Sequence, residues 1–146
     1  FMPKLKITKT IDGDTIKDTT SGITYRFSAI DAAELNQYGI DEYSDVNYGQ
    51  LGREFVEDAF YNAQSVQLVT SGKKDKYGRT LAYFVVDEGK GDVLVQCLEV
   101  VNLLAWQTVS FWGLGSFPPL AKIVSAAAKA VGEPHFMEPW DYKKNN

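Results

Sequence analysis

Three acids, Asp14, Asp31 and Glu34, and two arginines, Arg26 and Arg79, are the residues whose types suit chemistry on a charged substrate. Hard cations such as Ca²⁺ are held by several carboxylate and carbonyl oxygens, and three acids brought together from two strand ends would supply them. Arginine's planar fork grips phosphate oxygens two at a time and stays charged at any relevant pH. The chain has only three arginines, Arg26, Arg53 and Arg79, so placing two of them beside the acids is economical. A cation would polarise a phosphoryl oxygen, a carboxylate would activate water, and the arginines would hold charge that grows in the transition state. These are the requirements of phosphodiester hydrolysis. Taken singly, each segment has a blander reading. Ile11-Asp12-Gly13-Asp14-Thr15 is a hairpin turn, Asp31-Ala32-Ala33-Glu34 a solvated turn or helix start, and Asp75-Lys76-Tyr77-Gly78-Arg79 a turn with glycine where turns want it.

The elements that must position these residues begin with strands. Lys4-Leu5-Lys6-Ile7 alternates polar and apolar, Asp12-Gly13 interrupts, and Asp14-Thr15-Ile16 resumes an extended pattern. After Ser21-Gly22, the run from Ile23 to Ile30 puts Ile23, Tyr25, Phe27 and Ala29 on one face and Arg26 on the other. Residues 37–48 fit no period and read as a long loop carrying Tyr38, Tyr43 and Tyr48, more simply loop packing than a base-stacking surface. Leu51, Phe55 and Ala59 then mark an amphipathic helix over residues 50–63. Residues 66–69 and 81–86 are β-rich and joined by the turn at 72–79. Asp92 is a candidate N-cap for a second helix with a stripe of Leu94, Leu98, Val101 and Ala105. A third helix carries Leu120, Ile123, Val124, Ala127 and Val131, starting near Pro118-Pro119 and stopping at Gly132. The pattern predicts an α+β chain with a mostly β core: a five-stranded barrel of the oligonucleotide/oligosaccharide-binding (OB) type with about three helices. It reads as a single domain over 1–146, with a core of about 4–132 and a tail of 133–146 anchored by Trp140.

Composition narrows the classes. The 146 residues are 45% hydrophobic and 23% charged, enough apolar surface for a core and far from a disordered or low-complexity chain. No apolar run reaches the ~20 residues that span a bilayer, so no membrane is expected as partner. The single cysteine, Cys97, excludes an internal disulfide and a multi-cysteine zinc site, and reads as a small buried side chain. Met2-Pro3-Lys4-Leu5 opens no apolar signal segment. The expected location is secreted or periplasmic if a leader was removed and cytoplasmic otherwise, and the expected state a monomer. The net charge of −4 and pI near 5.0 exclude a broad basic face, so any polyanion site is local. His135, the only histidine, has no acid at motif spacing and reads as a bystander, and the Lys143-Lys144 pair as a solvated end.

Taken in order, these motifs resemble the staphylococcal nuclease family. The resemblance rests on Ile11-Asp12-Gly13-Asp14-Thr15, Tyr25-Arg26-Phe27 with Ile30-Asp31 and Glu34, Tyr48-Gly49, and Asp75-Lys76-Tyr77-Gly78-Arg79 with Leu81-Ala82-Tyr83. It spans roughly residues 4–106, and Pro139-Trp140-Asp141-Tyr142-Lys143 is similar to the tail of many bacterial members. The resemblance implies Ca²⁺ as cofactor, with Asp14, Asp31 and the backbone carbonyl of Ala32 as its ligands. It implies Glu34 as general base, Arg26 and Arg79 on the scissile phosphate, and Lys76 and Tyr77 on a neighbouring phosphate. The activity implied is endonucleolytic hydrolysis of single- or double-stranded DNA and RNA at the 5′-oxygen side, leaving 3′-phosphates. Two departures stand out. Ala32-Ala33 replace Thr-Pro of the family's prototype, which removes a hydroxyl near the metal. Two base-stacking tyrosines fall near Thr108 and Ser110, with Phe111 and Trp112 slightly displaced. The alternative is a catalytically inactive OB-fold module binding nucleic acid or peptide, since a fold alone does not prove activity. Oligosaccharide binding has no support beyond the barrel.

Overall fold

Alternation of buried and exposed side chains is what builds the sheet that carries the acids. In the computed structural model, which describes residues 8–34, 47–108 and 118–131, β1 (Thr8–Asp12) and β2 (Thr15–Asp18) form a hairpin across the Gly13-Asp14 turn. β3 (Thr24–Phe27) pairs antiparallel with β2, its Tyr25 and Phe27 buried and Arg26 on the opposite face. β5 (Ser65–Val69) and β6 (Thr80–Asp87) are antiparallel, and β6 runs parallel to β3. The order is therefore β1-β2-β3-β6-β5, with β7 (Asp92–Leu94) added to β6. β4 (Ile30–Ala32) leaves this sheet and pairs with β8 (Ala105–Gln107). Among the described residues no ladder closes β5 onto β1. The α+β expectation holds, with three helices among the described residues: α1 (Tyr48–Asn62), α2 (Val95–Val101) and α3 (Pro118–Val131).

The core is an aromatic cluster under the sheet. Phe84 lies tilted 4.9 Å from Phe27 and meets Phe60 and Tyr25 edge-on at 5.3 and 5.8 Å. Val56, Val66, Val86, Leu94 and Val100 complete it. α1 starts at Asn47, whose Oδ1 accepts the Gln50 N–H at 3.0 Å, a side-chain N-cap.

Four expectations change. The run from Ile23 to Ile30 is broken in two: Ala29 has φ +70°, a left-handed residue that ends β3 and redirects β4, and Ile23 is exposed. The α1 stripe is displaced: Gly49, Gly52, Val56, Ala59 and Phe60 are buried, while Leu51 is 42% exposed. The small face is the one that packs on β1, because Gly52 Cα lies only 3.4 Å from where a Cβ on Gly13 would sit. Asp92 belongs to β7, and α2 begins after Leu94 without a side-chain cap. That helix buries Val95, Gln96, Cys97, Glu99 and Val100 and exposes Val101. The third helix and the buried Cys97 are as expected. The strand at Lys4–Ile7, the tyrosines Tyr38 and Tyr43, and the tail with His135, Trp140 and Lys143-Lys144 lie outside the described residues. Tyr48 packs against Ala33 and Trp106, so it serves loop and helix packing.

Candidate active site

Asp14 sits in the tight β1–β2 turn, and the turn is tight because Gly13 has no side chain. A Cβ there would stand 2.9 Å from Ala32 Cβ and 3.3 Å from Glu99 Oε1. The turn can therefore press against β4 and α2 together. Asp14 is buried and its carboxylate is fully engaged. Thr15 Oγ1 donates to Oδ1 at 3.1 Å, and the Ala32 N–H donates to Oδ2 at 3.0 Å. Asp12 Oδ1 accepts the Asp14 N–H at 3.0 Å, which fixes the backbone of the turn.

The register of β2 against β3 sets Thr15 opposite Arg26, and this delivers the guanidinium to the acids. Arg26 Nη2 lies 3.3 Å from Asp14 Oδ2 and 3.6 Å from Asp31 Oδ1. Its Nη1 donates to the carbonyls of Phe27 at 2.6 Å and Ile30 at 3.1 Å, bracing the corner where β3 becomes β4. Gln96, buried on α2, holds the neighbouring backbone: its Nε2 donates to Ala82 O and Ser28 O, and its Oε1 accepts the Phe84 N–H. Asp31 is thus carried to Asp14 by a short strand anchored on both sides.

Arg79 arrives from the other direction. Asp75 shapes the turn before β6 by accepting the Tyr77 and Arg79 N–H groups at 2.9 Å each, and its Oδ2 holds Arg79 Nε at 2.7 Å. Burial would raise the Asp75 carboxyl, but these hydrogen bonds and the Arg79 charge together hold it below the usual aspartate value. Tyr77 is 71% exposed, with Lys76 Nζ at 5.2 Å and Arg79 Cζ at 5.1 Å from its ring. Arg26, Asp31, Lys73, Lys76, Tyr77 and Arg79 all line one open cleft of about 610 Å³, with Thr108 on its wall. Asp75 lines it as well, so four cationic side chains face two acids there, a local basic patch on an acidic molecule.

Of the residues singled out in the sequence, the structure brings Asp14, Arg26 and Asp31 into contact and lines the same cleft with Arg79, Lys76 and Tyr77. Glu34 follows Ala33 as an exposed side chain and is not among the cleft's lining, although its charge acts on Asp12. Among the described residues no group of three or more His, Cys, Asp or Glu side chains is arranged to hold an ion by itself. The donor chemistry nevertheless suits a hard cation. Asp12 is pushed up to about 7 by burial, then by hydrogen bonding to Asp14 and the charges of Asp14 and Glu34, against the Asp14 N–H that lowers it. Carboxylates crowded in this way, with one arginine between them, are relieved by added positive charge. Asp14, Asp31 and the Ala32 carbonyl are the residues that would hold such an ion.

Sequence reasoning missed Asp12, Asp75 and Glu99. Asp12 and Asp75 were hidden inside turn motifs, where an aspartate has an ordinary structural use. Glu99 is fully buried on α2, and neither carboxyl oxygen has a hydrogen-bond partner among the described residues. Burial, then the charges of Asp14 and Asp12, push its carboxyl well above the usual glutamate value, while Arg26 pulls it down. The stripe expected on α2 gave no signal for it.

A family model described as "Staphylococcal nuclease homologue" matches residues 24–109, more than half of the chain. The chain belongs to the staphylococcal nuclease family. The match takes in Arg26, Asp31, Ala32, Glu34, Lys76, Tyr77 and Arg79, and it begins after the turn that carries Asp14. It makes the domain a nuclease-family OB-fold, a class of domain that takes nucleic acid. A comparison with individually curated proteins returns no match. Among the described residues no helix is long and apolar enough to cross a membrane.

Proposed function

We propose that this family member is a Ca²⁺-dependent endonuclease that hydrolyses phosphodiester bonds of DNA and RNA at the 5′-oxygen side and leaves 3′-phosphates. The observation that carries the reading is the meeting of Asp14, Arg26 and Asp31, the last two of which line the same cleft as Arg79 while Asp14 is buried behind them. Asp14, Asp31 and the Ala32 carbonyl would hold the ion, whose chemistry there is to polarise a phosphoryl oxygen. Arg79, braced by Asp75, presents its remaining N–H groups to the phosphate. Arg26 shifts part of its hydrogen bonding from Asp14 and Asp31 to the phosphate once another cation balances those acids. Glu34 takes the proton of the attacking water as its oxygen bonds to phosphorus, the P–O5′ bond breaks, and the 5′-oxygen leaves with the far nucleotide, taking up a proton from solvent in the open cleft. Lys76 and Tyr77, at the open side of the cleft, meet a neighbouring phosphate. The domain acts as a monomer on single- or double-stranded substrate.

Glu34 favours the second reading, a non-catalytic module for nucleic acid or peptide, because it is exposed and outside the cleft lining. End-labelled single-stranded DNA incubated with Ca²⁺ or with a chelator separates the two. The nuclease reading expects cleavage to 3′-phosphate ends, lost with chelator, and a Glu34→Gln variant about a hundredfold slower in kcat with KM nearly unchanged. Binding without turnover in Ca²⁺ would select the module.

A further inference from the structure

Glu99 has no part in the reading above, yet it lies against the cation site. Its Oε1 sits 3.3 Å from where a Gly13 Cβ would stand, and Gly13 joins Asp12 to Asp14. The same point is 2.9 Å from Ala32 Cβ, so the carboxylate backs onto the turn where β1–β2 touches β4. The groups whose charges act on it are Asp14, Asp12 and Arg26, all of that site. Val95, Cys97 and Val100 on α2 are apolar and buried, and the buried polar neighbour Gln96 spends its amide on the Ser28 and Ala82 carbonyls and the Phe84 N–H rather than on Glu99. A fully buried carboxyl with no hydrogen-bond partner among the described residues keeps its proton, and only a further positive charge beside it would draw that proton off. Arg26 does not suffice. It already serves Asp14 at 3.3 Å and Asp31 at 3.6 Å, and it is also the described cation whose charge acts on Glu99.

We infer that Glu99 is the buried back wall of the cation site, a positioning residue whose carboxyl ionises as a divalent ion arrives and then strengthens the hold of Asp14 and Asp31 on that ion. The inference rests on those two acids binding a cation, and it goes further by giving the site a deeper acid from α2. The domain thereby trades stability of its metal-free form for affinity.

Calorimetric titration with Ca²⁺ alone, on the full chain, tests this with Glu99→Gln and Glu99→Leu. Glu99→Gln keeps the shape and cannot ionise, and it should weaken the Ca²⁺ Kd at least tenfold. Glu99→Leu should weaken it as much while the metal-free Tm stays level or rises, an opposition that a merely structural residue would not produce. Should Glu99→Leu fail to fold, Glu99→Gln alone decides. A Kd within twofold of wild type in the folded variants overturns the inference and leaves the nuclease reading standing. A wild-type chain that binds no Ca²⁺ overturns both.

Discussion

Asp75 commits its carboxylate to a single short turn, accepting two backbone N–H groups and the Arg79 Nε within five residues of chain. That arrangement fixes the direction of an otherwise flexible side chain, and fixing direction is where much of the catalytic value of a phosphate-binding arginine lies. Asp75→Ala should therefore lower kcat about tenfold to a hundredfold, with the Ca²⁺ affinity unchanged, because the Asp14–Asp31 end of the cleft is built by other strands. Steady-state kinetics beside a Ca²⁺ titration checks this, and an unaltered kcat would show that Arg79 needs no brace. Arg26 is oriented by a different device. It is held by two carbonyls of its own strand corner and two acids, so its place is secured by the fold and its charge by the site.

At the scale of elements, the period-2 pattern placed Arg26 opposite the buried Tyr25 and Phe27, and the turn motifs located both Asp14 and Arg79. What the pattern could not show is a fold-back. The break at Ala29, with φ +70°, lets β4 leave the main sheet, pair with β8 and set Asp31 beside Asp14. An alanine gives no local hint of that conformation, since its cause is the tertiary hydrogen bonds on either side, Ser28 N–H to Ala82 O and Thr108 N–H to Ala29 O, each 2.8 Å. The helices were legible in existence, and α3 in rotation too, but the rotation of α1 and α2 was not. α1 turned its glycines inward because Gly13 and Gly52 permit backbone-to-backbone approach, and α2 turned Gln96 and Glu99 inward. Gln96 was invisible in the sequence because a buried amide is justified only by the carbonyls it meets, and those lie on distant strands. The family motifs made the phosphate-binding half of the site legible, whereas Glu99 lies outside every motif that the sequence offered.

For the whole molecule, crowding of acids makes stability depend on pH in a defined direction. Asp12 titrates near 7 when folded and near 3.8 otherwise, so the folded chain binds more protons in between. Stability from Asp12 is fully present below about pH 4 and is lost as pH rises through 7. Asp12→Asn keeps an acceptor for the Asp14 N–H and removes the charge. In metal-free protein it should raise Tm by roughly 3 °C at pH 8, equivalent to about 1 kcal/mol, and change little at pH 4. Thermal unfolding at the two pH values checks it, and an equal shift at both would mean that repulsion among the acids is not the cause.

The whole reading depends on a cation and a phosphate occupying adjacent places at one end of the cleft. Calorimetry with a nucleoside 3′,5′-bisphosphate, with and without Ca²⁺, measures that adjacency. Ca²⁺ should tighten the bisphosphate at least tenfold, the bisphosphate should tighten Ca²⁺ by the same factor, and Arg79→Ala should lose the bisphosphate while keeping its Ca²⁺ affinity. Independent binding of the two ligands, each indifferent to the other, would contradict it.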